Sequence, residues 1–348
     1  MAPPRGWPRA YRAPAWLPGG NAQTIWAATR ARRFDGAPPR WRRERWPTPD
    51  GDFVDVDHLD DATAGAQVAA TAAALPRRHL VLFHGLEGSS ASQYAEAFAA
   101  VARARGWAFT VPHFRGCSGE LNLAPRAYHS GDHEEIGWML GRLRDTHGAP
   151  LLAVGVSLGG NALLRWAQEA GEHAARTASA VAAVCSPIDL MAAGQAIDRG
   201  FNRLVYARMF LATMKPKALA KLRQYPRLFD AERLRAARTL YEFDDVFTAP
   251  LHGFRGTSDY WTRASARPHL AAIRIPALVL NARNDPFVPA ASLPPTDRAT
   301  GIARLGPAGQ VTLWQPDQGG HVGFPAGPYP ARVTSMPEAV CEWLAAPG

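Results

Sequence analysis

Cysteine is scarce in this chain: three in 348 residues, widely spaced at Cys117, Cys185 and Cys341. An odd, scattered set supports neither a disulfide framework nor a zinc cluster, so free thiols in a reducing compartment are the expectation. Long apolar runs are lacking as well. The uncharged stretch 151–164 covers only 14 residues and is broken by glycines, whereas crossing a bilayer takes about 18 apolar residues or more. No transmembrane helix is expected. The first twenty residues, MAPPRGWPRAYRAPAWLPGG, are studded with Pro and Arg and lack the apolar centre of a secretory signal, which points to the cytoplasm. No unit of about 20 to 50 residues repeats. Charged residues make up 20% and apolar ones 47% of the chain, which excludes wholesale disorder and suits a chain that buries a substantial core.

The net charge of +9 is unevenly placed. Residues 1–45 hold ten arginines against Asp35 and Glu44, leaving +1 for the other 303 residues. No nucleic-acid partner is expected for that near-neutral bulk. Trp7, Trp16, Trp26, Trp41 and Trp46 lie in the same stretch. Residues 1–46 therefore read as an N-terminal arm that packs its tryptophans on the main domain and leaves its arginines solvated. Peripheral contact of residues 1–45 with an anionic membrane surface is the alternative, since basic and aromatic side chains are interleaved there.

Beyond the arm, residues 52–59 alternate polar and apolar after an Asp50-Gly51 turn signal and predict an early antiparallel strand. Short continuous apolar runs follow at 79–83 (HLVLF), 108–112 (AFTVP), 151–156 (LLAVGV), 180–185 (AVAAVC), 277–281 (ALVLN) and 311–314 (VTLW). Such runs fit strands buried on both faces. Helical spacing fills 93–106, 132–145, 161–171 and 337–344. The alternation predicts an α/β fold with a mostly parallel central sheet and helices on both faces. One interval departs from it: 187–268 has no strand-like run, but helix candidates at 200–214, 217–224 and 231–243, with many aromatics. The expected organisation is an α/β core over 47–188 and 269–348, with a helical cap inserted at 189–268.

The chemistry begins at Gly155-Val156-Ser157-Leu158-Gly159, which leaves one predicted strand and enters a predicted helix. GxSxG alone is a weak signal, but a turn this tight lifts the serine hydroxyl above the sheet edge. A serine hydroxyl needs a base within reach and a group to hold that base. Asp285 follows the ALVLN strand, and His321 follows the VTLW strand within GGHVG. Two strand-helix-strand steps of about 30 residues each would separate serine and acid by about 60, and the actual gap from 157 to 285 exceeds this by roughly the size of the cap. Asp317, four residues before His321, is the substitute acid. The backbone N–H groups of Leu86 and Leu158 are expected to form the oxyanion hole, each worth about 3 kcal/mol in the transition state. His84 is expected to hydrogen-bond its own loop, and Cys117 to pack near the pocket mouth. His129 and His133 could share a helix face and bind a metal, yet Ser130 and Asp132 read as caps for the following helix, so no metal is assigned.

The strings HGLEGSS (84–90), FRGCSGELN (114–122), YHSGD (128–132), GVSLGGN (155–161), EFDDVFTAPLHGF (242–254), GGHVGF (319–324) and GNAQT (20–24) together resemble the YheT-type branch of the α/β-hydrolase superfamily. The order Ser, Asp, His is the order of that superfamily. The resemblance implies an α/β-hydrolase fold, a triad of Ser157, Asp285 and His321, no cofactor, and hydrolysis of carboxylic esters, either short to medium acyl esters or lipid esters. Acyl transfer by the same triad is the alternative within enzymes, and a non-catalytic binding module on the same fold is the rival outside them.

Overall fold

The apolar runs become strands of one sheet because their alternate side chains enter two separate cores. The computed structural model describes residues 11–60 and 77–346, so Trp7 and the arginines at 5 and 9 lie outside the described residues. The strands are β1 (Trp41–Pro47), β2 (Phe53–Leu59), β3 (His79–Phe83), β4 (Ala108–Pro112), β5 (Leu151–Val156), β6 (Ala178–Val184), β7 (Ala277–Leu280), β8 (Ile302–Leu305) and β9 (Val311–Trp314). Their spatial order is β1-β2-β4-β3-β5-β6-β7-β9-β8. From β4 to β9 neighbouring strands run parallel, while β1, β2 and β8 are antiparallel to theirs.

Val81, Phe83, Leu151 and Ala153 face one core, shared with Ile136, Leu140, Leu163 and Leu164. Leu80, Leu82, Leu152 and Val154 face the other, shared with Phe98, Ala102, Val340 and Leu344. Helices α3 (His133–His147) and α4 (Leu158–Ala170) supply the first set, and α2 (Gln93–Ala104) with the C-terminal helix Ser335–Ala345 the second. A strand covered on both sides has no polar face, so these strands read as unbroken apolar runs. An earlier helix, α1 (Gly19–Thr29), precedes the first strand.

Two strands escape the sequence pattern. β8 is four residues of mixed character. β1 reads WRRERWP, yet it pairs with β2 in a register that sets Arg43 opposite Asp57 and Arg45 opposite Asp55. Both arginines hold their aspartates bidentately, at 2.7 and 2.8 Å for Arg43 and 2.8 and 3.0 Å for Arg45. Burial would raise the Asp57 carboxyl, but hydrogen bonds from Arg43, His113 and Ser90 outweigh it and hold it well below the usual range. Residues 41–47 are thus an edge strand rather than a loose arm: Arg43 and Arg45 stay exposed, as expected, and in addition neutralise the buried carboxylates of Asp57 and Asp55. Arg33 likewise pairs with Glu96 at 2.8 Å. Of the tryptophans, Trp46 is buried and Trp16 is exposed.

Between β6 and β7 the chain is helical. The helices α5 (Leu190–Ile197), Arg208–Gln224, Ala231–Ala236, Leu240–Val246 and Thr257–Ala264 enclose a core of their own that includes Leu211, Leu234, Phe243 and Trp261. Helix Arg208–Gln224 runs on from a turn at Gly200–Asn202 and a π-helical turn at Arg203–Ala207. It continues through Pro216, where a break was expected. Pro216 cannot donate to the carbonyl of Ala212 one turn back, and Ala212 lies on the exposed side of the helix, where the lost bond costs least. The helix expected over 231–243 divides instead, because Asp230 and Thr239 each cap a new start. Among the described residues no helix is long and apolar enough to cross a membrane.

Candidate active site

Ser157 stands between the end of β5 and the first residue of α4, at φ 53° and ψ −119°. A non-glycine residue there carries backbone strain of about 1–3 kcal/mol. The bend closes only because its neighbours are small: a Cβ on Gly159 would lie 2.5 Å from the His84 carbonyl oxygen. The Ser157 amide is itself held by the Val184 carbonyl, at 2.8 Å.

The structure brings the three sequence-derived residues into one line. His321 Nε2 is 3.0 Å from Ser157 Oγ, and His321 Nδ1 is 2.8 Å from Asp285 Oδ2. The second carboxylate oxygen of Asp285 accepts the amides of Phe287 and Val288 at 2.7 and 3.2 Å, which fixes the carboxylate plane. With Nδ1–H donated to Asp285, Nε2 presents a lone pair to the serine hydroxyl. Phe287 covers the imidazole, ring centroids 4.2 Å apart. Asp317 stays outside this line; its side chain is exposed and lies 3.9 Å from Arg283.

What holds the acid and histidine loops together was not legible in the sequence. α1 lies against both. Gln23, fully buried, accepts from Asn284 Nδ2 and from the Gly319 amide, each at 2.9 Å. Thr24 Oγ1 accepts the His321 amide at 2.8 Å and donates to the Gly20 carbonyl at 2.7 Å. Asn284 Oδ1 takes the Gly320 amide at 2.9 Å. Gly20 approaches so closely that a Cβ would lie 1.8 Å from the Asn284 carbonyl oxygen. The GNAQT string is thus the clamp behind the histidine, and its partners lie about three hundred residues away in sequence. Thr24→Val keeps the shape and deletes both hydrogen bonds. Displacing the imidazole slightly is expected to lower kcat about 10- to 100-fold with KM little changed, and Thr24→Ser is expected to restore most of it; steady-state kinetics of the two variants check this.

The loop after β3 is pinned on both sides of Leu86. The Gly85 amide donates to Tyr94 Oη and the Glu87 amide to Tyr128 Oη, each at 2.9 Å. Among the described residues the amide of Leu86 between them has no internal acceptor. Leu158 is the first residue of α4, where an N–H has no helical partner. Both leucines line the cavity beside Ser157. His84 accepts the Phe114 amide at Nε2 and donates from Nδ1 to the Gly85 carbonyl, and burial pushes it down to about 3, so it stays neutral.

The remaining candidates take structural places. His129 is half-buried against the rings of His252, Phe254 and Tyr260, and desolvation there pushes it down to about 3. The capping expectation for Asp132 is corrected: its carboxylate accepts Arg126 at 2.6 Å and makes no cap bond, because the nearby guanidinium is the stronger donor. Ser130 instead meets the amide of Asn161 on α4. Burial pushes the Cys117 thiol up to about 12, and Gly116 beside it lines the cavity. Among the described residues, the donor atoms of Cys185, Asp285 and His321 lie within 4.8 Å of one another, the spacing of a metal cluster. Burial raises the Cys185 thiol well above its ordinary value, and its sulfur already accepts the Val322 amide at 3.2 Å, so the cysteine supports the histidine loop as a neutral thiol.

The cavity that reaches Ser157 runs beneath the helices inserted between β6 and β7. Leu190, Phe210, Phe243, Phe247 and Trp261 make its wall apolar.

Comparison with known proteins agrees with this architecture. The family described as the alpha/beta hydrolase fold matches residues 78–328. The chain is 38% identical to "Putative esterase YheT" of Escherichia coli K12 over 88% of this chain and 84% of that one. It is 30% identical to Phospholipase ABHD3 of Mus musculus over 86% of this chain and 70% of that one. Two solved structures share the fold: DcsB in complex with its substrate analogue, with a TM-score of 0.51, 12% identity and coverage of 88% and 98%, and a puromycin-hydrolyzing peptidase of Mycobacterium tuberculosis, with a TM-score of 0.50, 17% identity and coverage of 88% and 38%. By the extent of the family match and the identity to YheT, this chain belongs to the α/β-hydrolase superfamily, in its YheT-type branch.

Proposed function

We propose that this protein is a serine hydrolase that cleaves carboxylic esters. His321 Nε2 takes the hydroxyl proton of Ser157 as the oxygen attacks the ester carbonyl, and the amides of Leu86 and Leu158 hold the oxyanion. Asp285 keeps the imidazole in the tautomer and orientation that this requires. The same imidazole returns the proton to the departing alcohol, and water then cleaves the acyl-enzyme by the reverse sequence. The observation that carries the reading is the unbroken line from Asp285 through His321 to Ser157, at 2.8 and 3.0 Å.

The segment 189–268 acts as a cap over the core segments 47–188 and 269–348, and its apolar wall suits an acyl chain, whether of a small ester or a lipid ester. The names of the relatives, an esterase and a phospholipase, point the same way. A fluorophosphonate probe tests the reading. Its phosphorus should be found on Ser157 by peptide mass spectrometry, and labelling should compete with esters of increasing acyl length. An intact protein that takes up no probe, or takes it up elsewhere, would overturn the assignment.

A further inference from the structure

The near-neutral bulk of the chain hides a second basic segment. Between Asp198 and Asp230 there is no acidic residue, while 199–229 carries five arginines and three lysines. The lysines are engaged inside the protein: Lys215 donates to the carbonyls of Arg235 and Ala237, Lys217 pairs with Glu87, and buried Lys221 donates to the carbonyls of Asn122 and Ala124. The arginines at 199, 203, 208, 223 and 227 are all exposed.

Interleaved with the first three arginines are four large apolar side chains that face water. Phe201 is 52% exposed, Leu204 73%, Val205 37% and Met209 53%. They fall on the turn 200–202, the π-helical turn 203–207 and the start of the helix that follows, where Tyr206 and Ala207 are the buried residues and these four are exposed. The inward side of the same helix belongs to the candidate site: Tyr206 packs on Phe287 at 4.6 Å, Phe287 packs on His321 at 4.2 Å, and Phe210 and Met214 line the cavity. Exposed apolar residues scattered singly need no explanation, but a contiguous row marks a contact surface.

We propose that the outer face of this helix, from Arg199 to Met209, docks on an anionic lipid surface. Phe201, Leu204, Val205 and Met209 enter the boundary between headgroups and acyl chains, and Arg199, Arg203 and Arg208 meet the phosphates. An apolar face rimmed by arginines is the pattern of an interfacial helix; the adjacent acid, Asp198, is engaged by the amides of Leu240 and Tyr241. Docked this way, the cap brings the cavity mouth to the surface from which a lipid ester would be drawn. That last step rests on the reading of Ser157 as nucleophile; the docking itself does not.

Co-sedimentation of the full chain with phosphatidylcholine vesicles, with and without phosphatidylglycerol, tests the docking. The chain should bind the anionic vesicles. The double variant L204S/M209S, and separately R199S/R203S/R208S, should each bind at least about tenfold more weakly with an unchanged thermal melt, because water-facing side chains contribute little to folding. Failure to bind either vesicle, or wild-type affinity in the double variant, overturns the proposal. The second result would assign binding to residues 1–45, and the first would leave the row to an acidic protein. Delivery is read separately. L204S/M209S should match the wild type on a water-soluble ester and fall at least about tenfold on the same acyl group held in anionic vesicles. Equal rates on both overturn delivery alone, whereas a wild type inert on every ester overturns the reading of Ser157 and leaves the vesicle result standing.

Discussion

Replacing Ser157 with alanine is expected to lower kcat on an activated ester by about 10⁴- to 10⁶-fold, the range lost when a triad nucleophile is removed. The fold should be unaffected, since alanine tolerates the bend as well as serine does and the hydroxyl's partner, His321, keeps its bonds to Asp285 and Thr24. Ser157→Gly sharpens the test. Glycine adopts φ 53° without strain, so this variant is expected to be equally inactive yet as stable as the wild type or up to about 1 kcal/mol more stable, despite its more flexible unfolded chain. Stability would then rise as function disappears, the signature of strain kept for chemistry. Kinetics together with thermal melts of the three proteins decide the matter. Activity above about 1% of wild type in either variant would remove Ser157 from the mechanism.

The elbow, acid and histidine were legible because each follows an apolar run at the carboxyl end of a strand, and a parallel sheet gathers those ends along one edge. Strands buried on both faces announce themselves by composition alone, and β3, β5 and β9 did. Strand β1 did not, because its stabilising partners are the aspartates of β2; a row of arginines carries no strand signal until the strand opposite is known. The role of Gln23 and Thr24 was hidden for a related reason. GNAQT was visible as a string, but hydrogen bonds to Asn284, Gly319 and His321 depend on where two distant loops meet, and no local period encodes that. The row at 201–209 is a third case: its spacing was readable as helix, while which side faces the core was fixed only by Tyr206 and Phe210 turning inward.

Asp285→Asn is expected to cost about 10⁴-fold in kcat, more than its modest change of shape suggests. The reason lies in the two amides that Asp285 already serves. Its Oδ1 accepts from Phe287 and Val288, so an asparagine oriented to keep those bonds turns its NH₂ toward His321 Nδ1. The ring must then accept at Nδ1 and carry its proton on Nε2, where it faces the serine hydroxyl as a donor and can no longer remove a proton. The opposite orientation restores the tautomer but sets an NH₂ against two backbone donors in a buried site, at a cost of about 1–3 kcal/mol for each amide left unsatisfied. The base is recovered only in that costly minor orientation, so the loss should fall on kcat while KM stays within a few-fold. Asp317→Asn, the exposed neighbour, should leave both constants unchanged. If the two variants behaved alike, the orienting role would not belong to Asp285, and the short contact at His321 Nδ1 would be structural only.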